Sequence, residues 1–242
     1  MPKKLWIPIA AATVLVAVGG AGAYAYFFSG LRTSPSALAL ASPAASPSAS
    51  PAASASTASG DTWQVTTGSV VGYRVKEQFV GQSSAHEAVA RTSDVTGTVR
   101  IARNGSTYEM TSATVTVQLS SLASVDSVAG YNVTNRDRIV QGSLDVRDYP
   151  TAVFNARNVA LPAGAETGQT VTVSVPGQLT VHGVTRDVTA TLQLRVTGST
   201  AQIAGSISTD MTDFGVSPPT IGFTTVQPAV TVEFQLNLAG SA

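Results

Sequence analysis

The run AVTVEFQLNL, residues 229–238, alternates apolar and polar side chains with a period of two. Successive side chains of a β-strand point to opposite faces, so this pattern predicts a strand with one apolar and one polar face. The apolar face would carry Val230, Val232, Phe234, Leu236 and Leu238, and the polar face Thr231, Glu233, Gln235 and Asn237. Such a strand is typical of an antiparallel sheet that buries one side and exposes the other.

The same alternation recurs through most of residues 61–242. It is seen in ATVTVQL, residues 113–119, and before Asn104-Gly105, a dipeptide that favours a two-residue hairpin turn. About eight such strands at regular spacing predict an all-β domain, built as a sandwich or as a closed barrel. Periodicity alone does not choose between these architectures. A small antiparallel barrel would have room for one apolar ligand.

Residues 124–150 interrupt the alternation. Apolar side chains recur there at roughly helical spacing, at Val125, Val128, Ala129 and Val133. We therefore predict one or two short helices or an ordered crossover in this segment. Tyr149-Pro150 would end it, because the residue before a proline disfavours helical backbone.

Two segments of different composition precede the β-rich region. Lys3 and Lys4 are followed by an uncharged apolar run, residues 5–28, that is long enough to cross a hydrocarbon core of about 30 Å. We predict that residues 1–32 form a transmembrane anchor with a cytoplasmic N-terminus and an exported remainder. The alternative is a cleaved signal peptide and a secreted domain, because Ala21-Gly22-Ala23 offers the small residues that signal peptidase requires.

Residues 33–60 consist almost entirely of Ser, Ala and Pro. A segment with so little apolar bulk does not repay the entropy of ordering, so we predict a disordered linker.

The composition of the chain argues against several classes of function. Fourteen acidic and fourteen basic residues leave no net charge, so the chain has no electrostatic reason to bind nucleic acid. The absence of cysteine excludes disulfides and Cys-ligated zinc, and two histidines do not make a three-His zinc site. No nucleophile elbow or zinc-protease motif occurs.

We interpret Asp210 and Asp213 as turn residues rather than as a cation site, because hard cations need more oxygen ligands than this pair supplies. We expect no cofactor.

His182 lies within GQLTVHGVTRDVTATLQL, residues 177–194, between two alternating runs. Gly183 would supply an unusual backbone angle and Asp187 local hydrogen bonds, as expected for a hairpin loop. A catalytic histidine requires an orienting or reacting partner. We therefore interpret His182 as part of the turn.

The beginning of this segment, GQLTVHGVT, resembles a recurring strand and turn of the YceI-like family, whose members bind polyisoprenoids or other lipids in a lipocalin-like barrel. Further similarities follow in the family's order, at residues 62–80, 90–101, 135–156 and 212–216. The resemblance therefore extends over most of residues 61–242. It implies an antiparallel lipocalin-like β-barrel with a short helical crossover, and a binding protein rather than an enzyme.

The chain departs from the family pattern at three places. Ile139-Val140 stands where the family often has a His-Leu pair, and Ser143-Leu144 stands where it has an aromatic pair. Met211 precedes Asp-Phe-Gly where an arginine is common. These differences change the groups expected to line the pocket.

The segments that resemble the family supply nine candidates for the apolar lining of a cavity: Tyr73, Phe79, Tyr131, Leu144, Phe154, Leu179, Leu192, Phe214 and Phe223. The expected function is a membrane-tethered, extracytoplasmic binding protein for an isoprenoid or other long-chain lipid. The alternative is a structural or stress-related adhesion module in which these side chains fill a solid core and no ligand binds.

Overall fold

The computed structural model describes residues 32–41, 61–80, 85–105, 107–128, 132–222 and 224–240. Within these ranges one α-helix is present, α1 (Val133–Ser143), with two short 3-10 helices at Leu119–Ser121 and Met211–Phe214. The strands are β1 (Arg32–Thr33), β2 (Asp61–Val65), β3 (Val70–Phe79), β4 (His86–Thr92), β5 (Val95–Asn104), β6 (Thr107–Gln118), β7 (Ala123–Ser124), β8 (Ser127–Val128), β9 (Thr151–Leu161), β10 (Val171–Val181), β11 (Val184–Thr197), β12 (Thr200–Asp210), β13 (Thr220–Ile221) and β14 (Thr224–Gly240).

Antiparallel pairing closes these strands into a barrel. β2 and β3 lie end to end along β14, and β4 and β5 lie end to end beside β3 and β2. The order then continues through β6, β9, β10, β11 and β12, and β12 pairs with β14. With each end-to-end pair taken as one bent strand, this is an 8-stranded up-and-down barrel. The predicted barrel is confirmed, and the sandwich alternative is wrong because the β12–β14 pairing closes the sheet.

Helix α1 lies in the crossover that joins β6 to β9 at one end of the barrel, here called the helix end. The opposite end, with the turns at Gly105 and Gly198, is called the far end. The side chain of Asn132 caps α1 by accepting a hydrogen bond from the Thr134 N–H at 3.0 Å. The predicted helical crossover is thus confirmed, but its helix begins only at Val133.

The helical spacing that begins at Val125 and Val128 does not produce a helix. Ser127–Val128 instead form β8, which pairs with β1. Val128 is buried, and the backbone of β1 supplies the hydrogen bonds that a helix would have made internally. A tertiary partner therefore overrides a weak local pattern.

The two hairpins that the sequence suggested are present. β5 and β6 pair around Gly105, which has φ of 62°, as the Asn-Gly signal predicts. β10 and β11 are joined by His182 and Gly183 alone, with φ of 51° and 72°. A Cβ at Gly183 would lie 2.5 Å from Cε1 of Tyr149, so close packing as well as backbone angle requires glycine. The turn is shorter than expected, because Asp187 already lies in β11.

Residues 32–41 lie along the outer face of the barrel. The guanidinium groups of Arg74, Arg91 and Arg195 donate hydrogen bonds, each of 2.6 Å, to the carbonyl oxygens of Pro35, Ser36 and Ala41. The predicted disordered linker began at residue 33, so its first nine positions are attached to the barrel in the structure. Composition does not reveal this attachment, because the segment contributes backbone groups rather than side chains. Residues 42–60 lie outside the described residues.

Glu233 lies beneath this segment. The alternation of β14 placed it on a solvent-exposed face, but its side chain is 2% exposed. Its carboxylate accepts hydrogen bonds from Nε of Arg74 at 2.6 Å, Nε of Arg91 at 2.8 Å and the backbone N–H of Leu38 at 3.1 Å. The prediction of a wet polar face is wrong at this position, because the N-terminal segment covers it.

The apolar run at residues 5–28, predicted to be an anchor, falls outside the described residues. Within the part of the chain that the structure describes, no helix combines the length and apolar character needed to span a bilayer.

Candidate functional site

The barrel encloses a cavity of about 620 Å³. Its lining extends from Leu144 and Arg136 at the helix end to Gly198 and Glu166 at the far end. The apolar face predicted for β14 forms one wall, since Val230, Val232, Phe234, Leu236 and Leu238 all line the cavity. The volume is within the range of small-molecule sites, about 300–1,000 Å³. This open space favours a hollow barrel over the solid-core alternative.

Glycines in the sheet allow large side chains to lie flat against the wall. The ring of Phe154 packs over Gly177, where a Cβ would lie 2.6 Å from the ring Cζ. Leu192 lies beside Gly205, where a Cβ would approach the Leu192 Cβ to 2.7 Å. Gly177 belongs to the GQLTVHGVT segment, and its packing role explains why that strand carries a glycine at its centre.

Six of the nine predicted lining residues surround this cavity: Tyr73, Leu144, Phe154, Leu179, Leu192 and Phe214. Phe79 is buried but does not line it. Phe79 ends β3 opposite Thr224 of β14, and its ring centroid lies 6.4 Å from that of His86. Tyr131 and Phe223 fall outside the described residues.

The helix end of the cavity carries charged groups that the sequence analysis missed. Arg136 of α1 and Glu77 of β3 both line it, with side chains 4% and 6% exposed. Nε of Arg136 lies 3.0 Å from Oε1 of Glu77, and Nη2 donates to Oε2 at 3.1 Å. The two residues therefore form a two-point ion pair at the helix end of a mostly apolar cavity.

Two further residues complete this cluster behind the cavity wall. Nη1 of Arg136 donates to both carboxylate oxygens of Asp126, at 2.7 and 2.9 Å. Nε2 of His86 lies 2.7 Å from Oδ2 of Asp126, and the Val89 N–H donates to Oδ1 at 3.0 Å. We call Glu77, His86, Asp126 and Arg136 the charge cluster.

One sequence signal could have revealed the cluster. β3 places Val71, Tyr73, Val75, Glu77 and Phe79 on one face. A carboxylate on an apolar strand face requires a buried partner. The identity of the partner could not be predicted from the sequence, because Arg136 is distant in sequence and reaches β3 only through the crossover.

Burial and pairing perturb the ionisation of these groups. Burial raises the pKa of Glu77, in spite of the opposing charge of Arg136. Burial acts in the same direction on Asp126, but hydrogen bonds from His86 and Arg136 hold its pKa below the usual value. Burial also raises the pKa of Tyr73 well above its ordinary range, so its phenol is neutral at physiological pH.

Two polar atoms in the cavity wall lack hydrogen bonds to any described residue. Oγ1 of Thr224 lies at the helix end, in a residue that is 6% exposed, and Nε1 of Trp63 lies toward the far end. Thr224 shares the inner face with Val226, which pairs with Glu77. Thr224 and Glu77 are therefore diagonal neighbours on the inner face, at a separation of about 7–8 Å or somewhat less between their Cβ atoms.

His182 and the two aspartates lie outside the cavity lining. Nδ1 of His182 lies 3.2 Å from the carbonyl oxygen of Phe214, and its ring meets that of Tyr149 edge-on at 5.1 Å. Asp210 caps the second 3-10 helix by accepting from the Thr212 N–H at 2.9 Å. Among the described residues, no group of three or more His, Cys, Asp or Glu is arranged to hold a metal ion. These contacts agree with the interpretation of His182 as a turn residue.

The family model described as the YceI-like domain matches residues 63–238. The chain belongs to the YceI-like family. The match begins within β2 and ends within β14, and it includes the crossover and the hairpin at His182. Among curated proteins, no significant match is found.

Solved structures are similar to this chain at low sequence identity. A polyisoprenoid binding domain from Saccharophagus degradans implicated in plant cell wall breakdown is 13% identical, with a TM-score of 0.52 over 74% of this chain and 98% of that one. BcnA of Burkholderia cenocepacia is 19% identical, with a TM-score of 0.46 over 68% and 95%. A Campylobacter jejuni YCEI protein is 16% identical, with a TM-score of 0.42 over 69% and 84%.

Proposed function

We propose that this YceI-like chain is a membrane-tethered, extracytoplasmic protein that binds one apolar, isoprenoid-like lipid inside its barrel. The observation that carries the proposal is the cavity of about 620 Å³, whose wall is formed by inward-facing aliphatic and aromatic side chains. The Saccharophagus relative, described as a polyisoprenoid binding domain, supports the choice of ligand class.

Apolar burial supplies the affinity in this proposal. Each methylene transferred from water into such a wall contributes about 0.8 kcal/mol, so a chain of several isoprene units needs no charged contact. Leu192 of β11, Phe154 of β9 and Leu179 of β10 contribute to one side of the cavity, and the apolar face of β14 contributes another. A long, flexible hydrocarbon fits this arrangement better than a compact polar metabolite.

Binding is favoured over catalysis by the state of the charged groups. Arg136 is committed to Glu77 and Asp126, and His86 is committed to Asp126. Acid–base catalysis would need such groups within reach of a reacting atom rather than satisfied by one another.

The tether rests on the N-terminal sequence. Lys3 and Lys4 precede the apolar residues 5–28, which have the length of a membrane span and the flanking charge of a cytoplasmic N-terminus. The barrel would then face the extracytoplasmic side.

Native mass spectrometry of the full chain, extracted from membranes in mild detergent, tests the binding proposal. We expect a bound species heavier than the polypeptide, and release of an isoprenoid or other long-chain lipid on denaturation. A polypeptide that carries no lipid and takes up none from isoprenoid-containing micelles would refute the proposal.

A further inference from the structure

Among the described residues, no free cation lies at the helix end of the cavity to meet an anionic ligand. Arg136 is the one basic residue among the described residues that line the cavity, and it is already paired with two carboxylates. When Glu77 and Asp126 are both ionised, their two negative charges balance those of Arg136 and a protonated His86, and exceed the charge of Arg136 alone when His86 is neutral. A phosphate or diphosphate entering here would add negative charge to a site that contains no excess positive charge.

The same end offers a hydroxyl that is available for a neutral ligand. Oγ1 of Thr224 is buried, lines the cavity and makes no hydrogen bond within the described part of the chain. A buried hydroxyl without a partner loses free energy that a bound acceptor or donor would restore. The neutral phenol of Tyr73 also lines this end, and Met211 adds an uncharged side chain.

We infer that the ligand carries an uncharged polar end group, a hydroxyl or a carbonyl, which binds at the helix end beside Thr224. This inference rests on the proposed function, because it assigns one end of the same lipid. The apolar chain of the ligand would then extend toward Trp63 and the far end.

The test compares an isoprenoid alcohol, the diphosphate of the same chain and the hydrocarbon without an end group, each titrated into the full chain in detergent. We expect the alcohol to bind more tightly than the diphosphate by roughly a hundredfold or more, because the buried anion would be uncompensated. Thr224→Val should weaken alcohol binding by roughly threefold to tenfold and leave hydrocarbon binding unchanged. The free Thr224→Val protein should unfold at an unchanged or higher midpoint, since the hydroxyl has no partner to lose.

Trp63→Phe is the matched control, because it removes the other unsatisfied polar atom, near the far end. It should leave the preference for the alcohol unchanged. Tighter binding of the diphosphate would overturn the inference while the lipid-binding proposal stands. So would alcohol binding that Thr224→Val does not weaken, or that Trp63→Phe weakens instead. If none of the three probes binds, the proposed function itself fails.

A different observation concerns the orientation of the barrel. Arg32 pairs with Val128 in the crossover at the helix end, whereas the carbonyl oxygen of Ala41 accepts from Arg195, close to the Gly198 turn of the far end. The N-terminal segment therefore runs along the barrel from the helix end to the far end, and Asp61 begins β2 at the far end as well. Among the described residues, Arg32 is nearest in sequence to the apolar N-terminal run, and it is fixed at the helix end.

The spacing between that run and the barrel is short. The run ends at Phe28, four residues before Arg32, and four residues extend at most about 14 Å. The large apolar side chains exposed on the described surface, Val80, Val125 and Tyr149, belong to the β3 terminus and the crossover, and are 77%, 46% and 40% exposed. Tyrosine is enriched at membrane–water interfaces, and the two exposed valines add apolar area.

The geometry points to a bilayer surface as the partner of the helix end, held there by the anchor of the proposed function. The absence of cysteine makes single-cysteine labelling direct. A polarity-sensitive fluorophore would be attached in Val80→Cys and Val125→Cys, and in Ser199→Cys at the far end as the control. The full chain would be reconstituted in phosphatidylcholine vesicles that contain a lipid with a nitroxide on its headgroup.

We expect quenching of the two helix-end labels and little quenching of the Ser199→Cys label. A flexible Gly/Ser insertion between Phe28 and Arg32 should reduce the helix-end quenching, because it lengthens the reach of the tether. Stronger quenching at Ser199→Cys, or none at any label on vesicle-bound protein, would overturn the orientation. Protein that does not co-sediment with the vesicles would instead refute the tether.

Discussion

Nη1 of Arg136 lies 2.7 Å from Oδ1 of Asp126, and this contact joins helix α1 to the loop that precedes β8. The Asp126 side chain is fully buried and that of Arg136 is 4% exposed. Removing one partner of a buried ion pair leaves the other charge uncompensated. We therefore predict that Asp126→Asn lowers the free energy of unfolding by about 3–5 kcal/mol, measured by urea denaturation. Asp94→Asn, at an exposed turn, is the control. A loss no greater than that of the control would contradict the role of the cluster.

The pH dependence of stability follows from the same residues. The pKa of Asp126 is lowered in the folded state, so its contribution is present above its unfolded pKa of about 3.9 and is lost as pH falls through the folded value. The pKa of Glu77 is raised, so its effect has the opposite sign: stability increases as pH falls through the folded value. We expect Asp126→Asn to flatten the acid loss of stability below about pH 4, and Glu77→Gln to abolish the gain at mildly acidic pH. Unfolding midpoints measured across pH would show these opposite changes, and equal slopes in all three proteins would refute the assignment.

His182→Ala should lower the free energy of unfolding by about 1 kcal/mol, through the lost hydrogen bond and the positive φ that alanine tolerates poorly. Ligand affinity should stay within a few-fold, since His182 does not line the cavity. His182→Asn, which accepts a left-handed backbone more readily, should cost less than alanine. Loss of ligand binding in His182→Ala without loss of stability would show that the turn interpretation is wrong.

Much of the barrel could be predicted from the strand alternation, because the direction of a side chain in a strand follows from its position in the local sequence. Leu192 and Phe234 point inward because their strands bury one face, and this direction follows from spacing alone. The helix end is different. Glu77, His86, Asp126 and Arg136 come from four separate segments, and only the folded crossover brings them together.

The predictions for Glu233 and for the segment that begins at Thr33 were wrong for the same reason. Both depend on contacts with the backbone of residues 32–41. Glu233 was placed in solvent because nothing in β14 shows that residues 32–41 cover it. The segment that begins at Thr33 was predicted to be disordered because Ser, Ala and Pro side chains bury little area. Arginines on the barrel bind its carbonyl oxygens, and a carbonyl oxygen is present at every residue whatever the side chain.

The N-terminal sequence predicts that the barrel is exported and remains attached to the membrane. Protease added to cells with a permeabilised outer layer and an intact cytoplasmic membrane should remove residues 61–242, whereas a cytoplasmic marker stays protected. The chain should be recovered in the membrane fraction before proteolysis. A protected barrel would contradict the orientation, and a shortened barrel in the medium would show that the N-terminus is a cleaved signal.

Leu192→Trp distinguishes a cavity that binds lipid from one that is merely empty. Leu192 lines the cavity on β11, and the larger indole would enter open space rather than a filled core, where overpacking costs about 1–3 kcal/mol. We expect the variant to stay folded, with an unfolding midpoint close to that of the parent, and to bind much less lipid in native mass spectrometry. Thr191→Trp places the same indole on the exposed face of the same strand, and it should bind lipid normally.

If Leu192→Trp retains the parent's lipid occupancy, the ligand does not reach this part of the barrel. If it melts much earlier than Thr191→Trp, the space beside Leu192 is too small for a lipid chain, and the binding proposal fails at its central point.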